Sequence, residues 1–143
     1  MAADPHPGEE LAWLLSRVVH QIDQRLGAIL ETEGLTLAQW RVLRLLSDGT
    51  GHAMTEVAHY AMLPPPTLTK AVDQLVSANL VYRRADPRDR RRVLIHLTAR
   101  GRRLQQQLAS RLSPATGILR EVLDEADLAR LTQLLQRILQ ARQ

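Results

Sequence analysis

The sequence predicts a mainly α protein with one small β-hairpin, an α+β chain. Three observations lead there. Apolar residues recur at three- and four-residue spacing toward both ends, the mark of amphipathic helices. The 143 residues include no Phe and four aromatics, Trp13, Trp40, Tyr60 and Tyr82, so the core must be Leu, Val, Ile and Ala, a palette that favours helices. After an Asp86-Pro87 pair the pattern switches to alternation, which reads as a turn followed by a strand.

Residues 1–7 hold two prolines and are expected to fray. From about Gly8 to Glu33, Leu11, Leu14, Leu15, Val18, Val19, Ile22, Leu26, Ile29 and Leu30 line one helical face, and Gly34 suits the C-cap. Thr36-Leu-Ala-Gln39 is a capping box that opens a helix through Trp40, Leu43, Leu45 and Leu46. Asp48-Gly-Thr-Gly51 ends it. Thr55 is expected to cap a short helix over about Glu56 to Met62, which Pro64-Pro65-Pro66 stops. Another helix starts at once, with Pro66 in its first turn, where an N–H would lack a partner anyway. It runs through Leu68, Val72, Leu75 and Val76 to about Asn79. Val81–Ala85 and Arg92–Leu97 are the strands, with Val93, Ile95 and Leu97 on one face and Leu94 and His96 on the other. Thr98 caps a long helical region in which Pro114 and Gly117 predict a kink or break. The last helix starts near Asp124 and carries a stripe of Leu128, Leu131, Leu134, Leu135, Ile138 and Leu139.

The formal net charge is +4, and its distribution matters more than its size. Between Arg83 and Arg103 stand nine arginines against Asp86 and Asp89, hence +7, leaving −3 for the rest of the chain. Such a run is either a solvated face or an anion-binding surface. There is no cysteine, which excludes disulfides and thiol redox chemistry. No signal peptide and no apolar run of membrane-spanning length is visible, so a soluble cytoplasmic protein is expected. His6, His20, His52, His59 and His96 show no metal-ligand spacing, and no nucleophile–base pair or phosphate loop is present. An enzyme, a metal and a cofactor are therefore not expected.

In the hairpin, proline presets φ and the aspartate can bond its own backbone. The result is a projecting cationic tip, a shape that suits the narrow, negative minor groove of DNA. The order helix, short helix, tight connection, helix, basic hairpin is the pattern of a winged helix-turn-helix, whose second short helix lies in the major groove. That helix opens Thr67-Leu-Thr-Lys70. Two hydroxyls and an ammonium there suit phosphate and base-edge contacts, or the threonines simply cap and turn.

The run Pro66–Gly101 resembles the MarR family of bacterial transcriptional regulators. The family's wing reads Asp-x-Arg-Asp-x-Arg, then a strand and Leu-Thr-x-x-Gly. Here these are Asp86, Arg88, Asp89 and Arg91, then Leu97, Thr98 and Gly101. Leu37-Ala-Gln-Trp-Arg-Val-Leu43 is also similar to the family, as are the amphipathic helices at both ends. The resemblance implies a homodimer joined through helices in 1–35 and 99–143, with a DNA-binding lobe over 36–98. The dimer would bind double-stranded DNA at a pseudo-palindrome with half-sites roughly 10 base pairs apart. Arg91 would enter the minor groove and Asp89 would orient it. Arg88 and Arg90 would help on the backbone, and Thr67, Thr69 and Lys70 would lie on the recognition helix. Pro64-Pro65-Pro66 departs from the family, which has polar residues there, and removes N–H donors.

The resemblance also implies a repressor released by a small aromatic or phenolic ligand. Trp13, Arg17 and His20 share a helical face, and with Trp40 they offer an aromatic wall, a cation and an imidazole. Core packing of both tryptophans is the other reading. A rival function is a winged-helix adaptor that binds protein and has lost DNA, for which the proline turn is the best support.

Overall fold

The structure, a computed structural model, describes residues 6–142. The fraying expected of residues 1–7 lies outside the described residues for 1–5, and Pro7 is already helical. The elements in order are α1 (Pro7–Glu31), α2 (Leu37–Leu46), β1 (His52–Ala53), α3 (Met54–Ala61), α4 (Pro65–Ser77), β2 (Val81–Ala85), β3 (Val93–Leu97), α5 (Ala99–Val122) and α6 (Glu125–Gln140). Two compact units meet within α5, between Arg111 and Leu112. Among the described residues no helix is long and apolar enough to cross a membrane.

The first unit is a small helical lobe closed by a three-stranded antiparallel sheet in the order β1-β3-β2. Its core is aliphatic: Leu30, Val42, Leu43, Leu46, Val57, Leu68, Val72, Leu75, Val81 and Ile95 are fully buried. Helix ends are closed by local chemistry. α1 ends with Gly34 at φ +68° while Leu35 N–H reaches the Leu30 carbonyl and Gly34 N–H the Glu31 carbonyl, a Schellman motif. Met62 and Asn79 take the same left-handed backbone after α3 and α4, with the same bond pattern. The capping box of α2 is complete: Thr36 Oγ1 accepts from Gln39 N–H (3.1 Å), and Gln39 Oε1 accepts from Thr36 N–H (2.9 Å). The buried Gln39 amide then donates to Gln74 Oε1 of α4 (2.9 Å), tying the two helices together.

Two expectations need correction here. The N-cap of α3 is Ala53, without a side-chain bond, and Thr55 sits inside the helix. The reason is β1, a strand too short to show alternation, which pairs His52 with Ile95 and Ala53 with Leu94 and feeds straight into α3. Second, α5 runs unbroken through Pro114 and Gly117. A proline removes one rung of the ladder, and a 24-residue helix keeps the rest.

The base of the hairpin is locked to α5. Thr98 N–H donates to the Leu80 carbonyl (3.1 Å). Its hydroxyl donates to the Asn79 carbonyl (2.7 Å) and accepts from Gly101 N–H (2.9 Å). A Cβ at Gly101 would lie 1.9 Å from the Leu80 carbonyl oxygen, so this approach requires glycine. Leu97-Thr-x-x-Gly101 is thus a strand-to-helix joint: Leu97 in the core, Thr98 capping, Gly101 admitting the backbone.

The second unit comprises α5 from Leu112 and α6. Asp124 caps α6 by accepting from Asp127 N–H (2.8 Å), as expected for a helix starting there. Leu131, Leu134, Ile138 and Leu139 of α6 remain exposed.

Candidate nucleic-acid interface

α3 and α4 are joined by three residues, Met62–Pro64, the short connection of a helix-turn-helix. α4 begins with two prolines at its first positions behind an N-cap that is also proline. Leu68 N–H bonds the Pro64 carbonyl (3.0 Å). Of the donors a helix N-terminus normally offers an anion, Thr67 N–H alone is left. Thr67, Thr69 and Lys70 are all exposed on α4. Thr69 donates its hydroxyl back to the Pro65 carbonyl (2.9 Å), so that hydroxyl is spent on its own helix. Pro66, Thr69, Lys70, Asp73 and Ser77 line a surface groove along this helix.

The hairpin tip consists of two consecutive turns, each opened by an aspartate. Asp89 N–H bonds the Asp86 carbonyl (3.2 Å), and Arg92 N–H bonds the Asp89 carbonyl (2.9 Å). Asp86 Oδ1 accepts from Arg88 N–H (2.9 Å), and Asp89 Oδ1 accepts from Arg91 N–H (3.1 Å). Asp86 N–H closes the loop onto the Arg92 carbonyl (2.7 Å). The N–H groups of Asp86, Arg88, Asp89, Arg91 and Arg92 are thus bonded within the loop, and the side chains of Arg88, Arg90 and Arg91 are exposed. Arg91 is 97% exposed, with a long contact of 3.8 Å to Asp89. Arg84, Arg88 and Arg90 form no ion pair among the described residues. At the base of the strands, Tyr82 and His96 stack face to face, ring centres 5.2 Å apart.

Sequence reasoning missed an ionic chain beside this hairpin. His52 Nε2 donates to Asp48 Oδ2 (2.6 Å) and His52 Nδ1 to Glu56 Oε2 (2.9 Å). Glu56 Oε1 also accepts from Arg92. Burial opposes charge on His52, yet the bonds to Glu56 and Asp48, and their negative charge, outweigh it and raise its pKa. The His52 bond is the main reason that Glu56 is held below its ordinary pKa, with the Arg92 charge adding to it. Burial works against Asp48, but bonds from Thr50 N–H and His52 lower its pKa. Asp48, His52 and Glu56 stand four residues apart, but the link to Arg92 exists only in the fold.

The four residues expected to hold a ligand separate. The Arg17 guanidinium lies over the exposed Trp13 ring at 5.6 Å, a cation–π contact within α1. His20 is exposed on the same helix. Trp40 is 6% exposed and belongs to the lobe core. A hollow of about 580 Å³ behind α4 is lined instead by Gln39, Gln74, Leu75, Arg100, Arg103 and Leu104, among others.

The comparisons agree with this geometry. The model of the MarR family matches residues 35–93. The HTH-type transcriptional repressor Mb2911 of Mycobacterium bovis is 34% identical over 127 residues, 89% of this chain and 86% of the relative. CouR from Rhodococcus jostii RHA1, solved bound to p-coumaroyl-CoA, superposes with a TM-score of 0.83 at 30% identity, covering 94% of this chain and 95% of CouR. A mutant MarR from E. coli, solved with operator DNA, gives 0.78 at 27% identity, covering 91% and 94%. Helix-turn-helix, aspartate-built wing and the Leu-Thr-x-x-Gly joint therefore place this chain in the MarR family of transcriptional regulators.

Proposed function

We propose that the chain acts in the cytoplasm as a homodimeric repressor of transcription. It binds double-stranded DNA at a pseudo-palindromic operator and is released by a small aromatic ligand. The observation that carries the DNA-binding reading is the hairpin tip. Its two aspartates bond the N–H groups of Arg88 and Arg91, and Arg88, Arg90 and Arg91 stand exposed, as do Thr67 and Lys70 of α4. In this reading Arg91 enters the minor groove, Arg88 and Arg90 take backbone phosphates, and Thr67 and Lys70 face the major groove. The E. coli MarR relative was solved with operator DNA, which supports the same partner here.

Homodimerisation is supported by apolar side chains that α1 and α6 leave in water: Leu11, Leu14, Val18 and Val19 on one, Leu134, Ile138 and Leu139 on the other. Exposed apolar stripes of that size mark contact surfaces. The ligand reading rests on the Trp13–Arg17 pair, suited to an aromatic carboxylate, and on the p-coumaroyl-CoA bound by CouR.

The three prolines at the helix-turn-helix favour a second reading, a protein-binding adaptor, because they leave α4 with one free N–H at its start. Selection from a random duplex pool followed by a salt titration separates the two. A DNA regulator enriches a two-fold symmetric site, binds it as two chains, and loses affinity steeply with salt through counterion release. An adaptor enriches no site.

A further inference from the structure

Two ion pairs tie the hairpin to the helix-turn-helix, one on each side of the wing. On β2, Arg83 donates to Asp73 of α4 at 2.5 Å. At the neck, just ahead of β3, Arg92 donates to Glu56 of α3. The grips lie at different levels, since Arg83 faces Ile95 across the sheet whereas Arg92 closes the loop opposite Asp86. Glu56 is itself held from behind by His52, and His52 by Asp48, whose Oδ1 accepts from the Thr50 N–H and hydroxyl. A ring with a carboxylate against each nitrogen is favoured in its protonated form, and a hydrogen-bonded chain of this kind orients its last member.

We infer that Glu56 is a positioning residue for DNA binding: by holding Arg92 it sets the direction in which the wing presents Arg90 and Arg91. The inference rests on the DNA-binding reading above. It divides the arginines of the wing into two kinds. Arg83 and Arg92 are structural ties, and Arg88, Arg90 and Arg91 are free for phosphate and groove. The Glu56 and Arg92 side chains are about half exposed, and exposed pairs contribute little to stability. The benefit of the contact is therefore orientation, and losing it leaves the fold standing.

A plain electrostatic role for Glu56 gives the opposite sign. Removing a carboxylate beside a phosphate-binding surface strengthens attraction to DNA, whereas removing a tie weakens specific binding. The test uses the full chain, a duplex selected by the wild-type protein from a random pool, and the variants Glu56→Ala, Arg92→Ala and the double. Each single variant weakens binding about fivefold, and the double no more than either single. Protection of the minor groove from hydroxyl-radical cleavage at the half-site flanks fades in Glu56→Ala. The thermal midpoint falls only slightly, by the cost of losing an acid from a helix's first turn and its half-exposed bonds to His52 and Arg92. Tighter or unchanged binding by Glu56→Ala, or losses that add in the double, overturns the inference. Should the wild-type chain select no duplex, the DNA-binding reading fails and takes the tie with it. A selected duplex with unaffected variants removes the tie alone.

Discussion

The wing tip and the helix-turn-helix connection treat backbone polarity in opposite ways. In the wing, Asp86 and Asp89 absorb the backbone N–H groups of Arg88 and Arg91, so the turns are closed from within while Arg92 ties the neck to α3. In the connection, Pro64, Pro65 and Pro66 have no N–H to give. The wing is rigid and rich in side-chain cations; the connection is rigid and poor in donors. In a regulator that grips DNA, the difference moves affinity away from the helix N-terminus and toward arginine side chains.

The most drastic way to break the comparison is to disturb the root of the wing. Gly101→Ala drives a methyl group into the Leu80 carbonyl. It is expected to cost about 3 kcal/mol or more of folding stability, because backbone on both sides has little room to give. Chemical denaturation reads this directly, and a loss under about 0.5 kcal/mol, the level of ordinary surface substitutions, contradicts the close-approach account of the joint.

A smaller effect sharpens the other side. Pro65→Ser and Pro66→Ser restore N–H groups at the start of α4. Each new donor aimed at a phosphate is expected to tighten binding by about 0.3–1 kcal/mol at low salt, the scale of helix-terminus interactions. If the double serine variant binds selected DNA no better than wild type, the connection does not face phosphate.

The smallest effect is one of pH. His52 has a raised pKa in the folded chain. Its contribution to stability is fully present below the ordinary histidine pKa and is lost as pH rises through the higher folded value. Asp48 and Glu56 are lowered. Their contribution is present above the ordinary carboxylate pKa and is lost as pH falls through the lower folded values. The chain of charges is whole between those two limits. Denaturation midpoints of wild type and His52→Gln should converge on the alkaline side, with a gap below about 1 kcal/mol at neutral pH, given the exposure of the partners. A gap that grows with rising pH has the wrong sign.

Local chemistry made much of this legible in the sequence. The Asp-Pro turn, the Thr36 box and the Thr98 cap depend on residues two or three positions apart, and each is found as read. What depended on distant partners was not legible. β1 exists because His52 and Ala53 meet a strand some forty residues later, and that pairing displaces the cap from Thr55 to Ala53. The Glu56–Arg92 tie and the contact of Gly101 with Leu80 are of the same long-range kind. Trp40 was read two ways because a tryptophan on an apolar helix face suits a core or a pocket equally. Its burial answers for packing. The run of nine arginines was legible as charge, but its division into tied and free members needed side-chain partners.

In the proposed function the free arginines of the wing, Arg91 above all, carry the grip on DNA. The Arg91 side chain is 97% exposed, and among the described residues its one ion pair is the 3.8 Å contact to Asp89, so Arg91→Ala should leave folding and oligomeric state unchanged. In a mobility-shift titration on a selected duplex, repeated over several salt concentrations, this variant should bind at least about tenfold more weakly, ~1–3 kcal/mol. The slope of log affinity against log salt should flatten by about one unit for each phosphate charge released. Wild-type affinity with an unchanged salt slope would contradict the account.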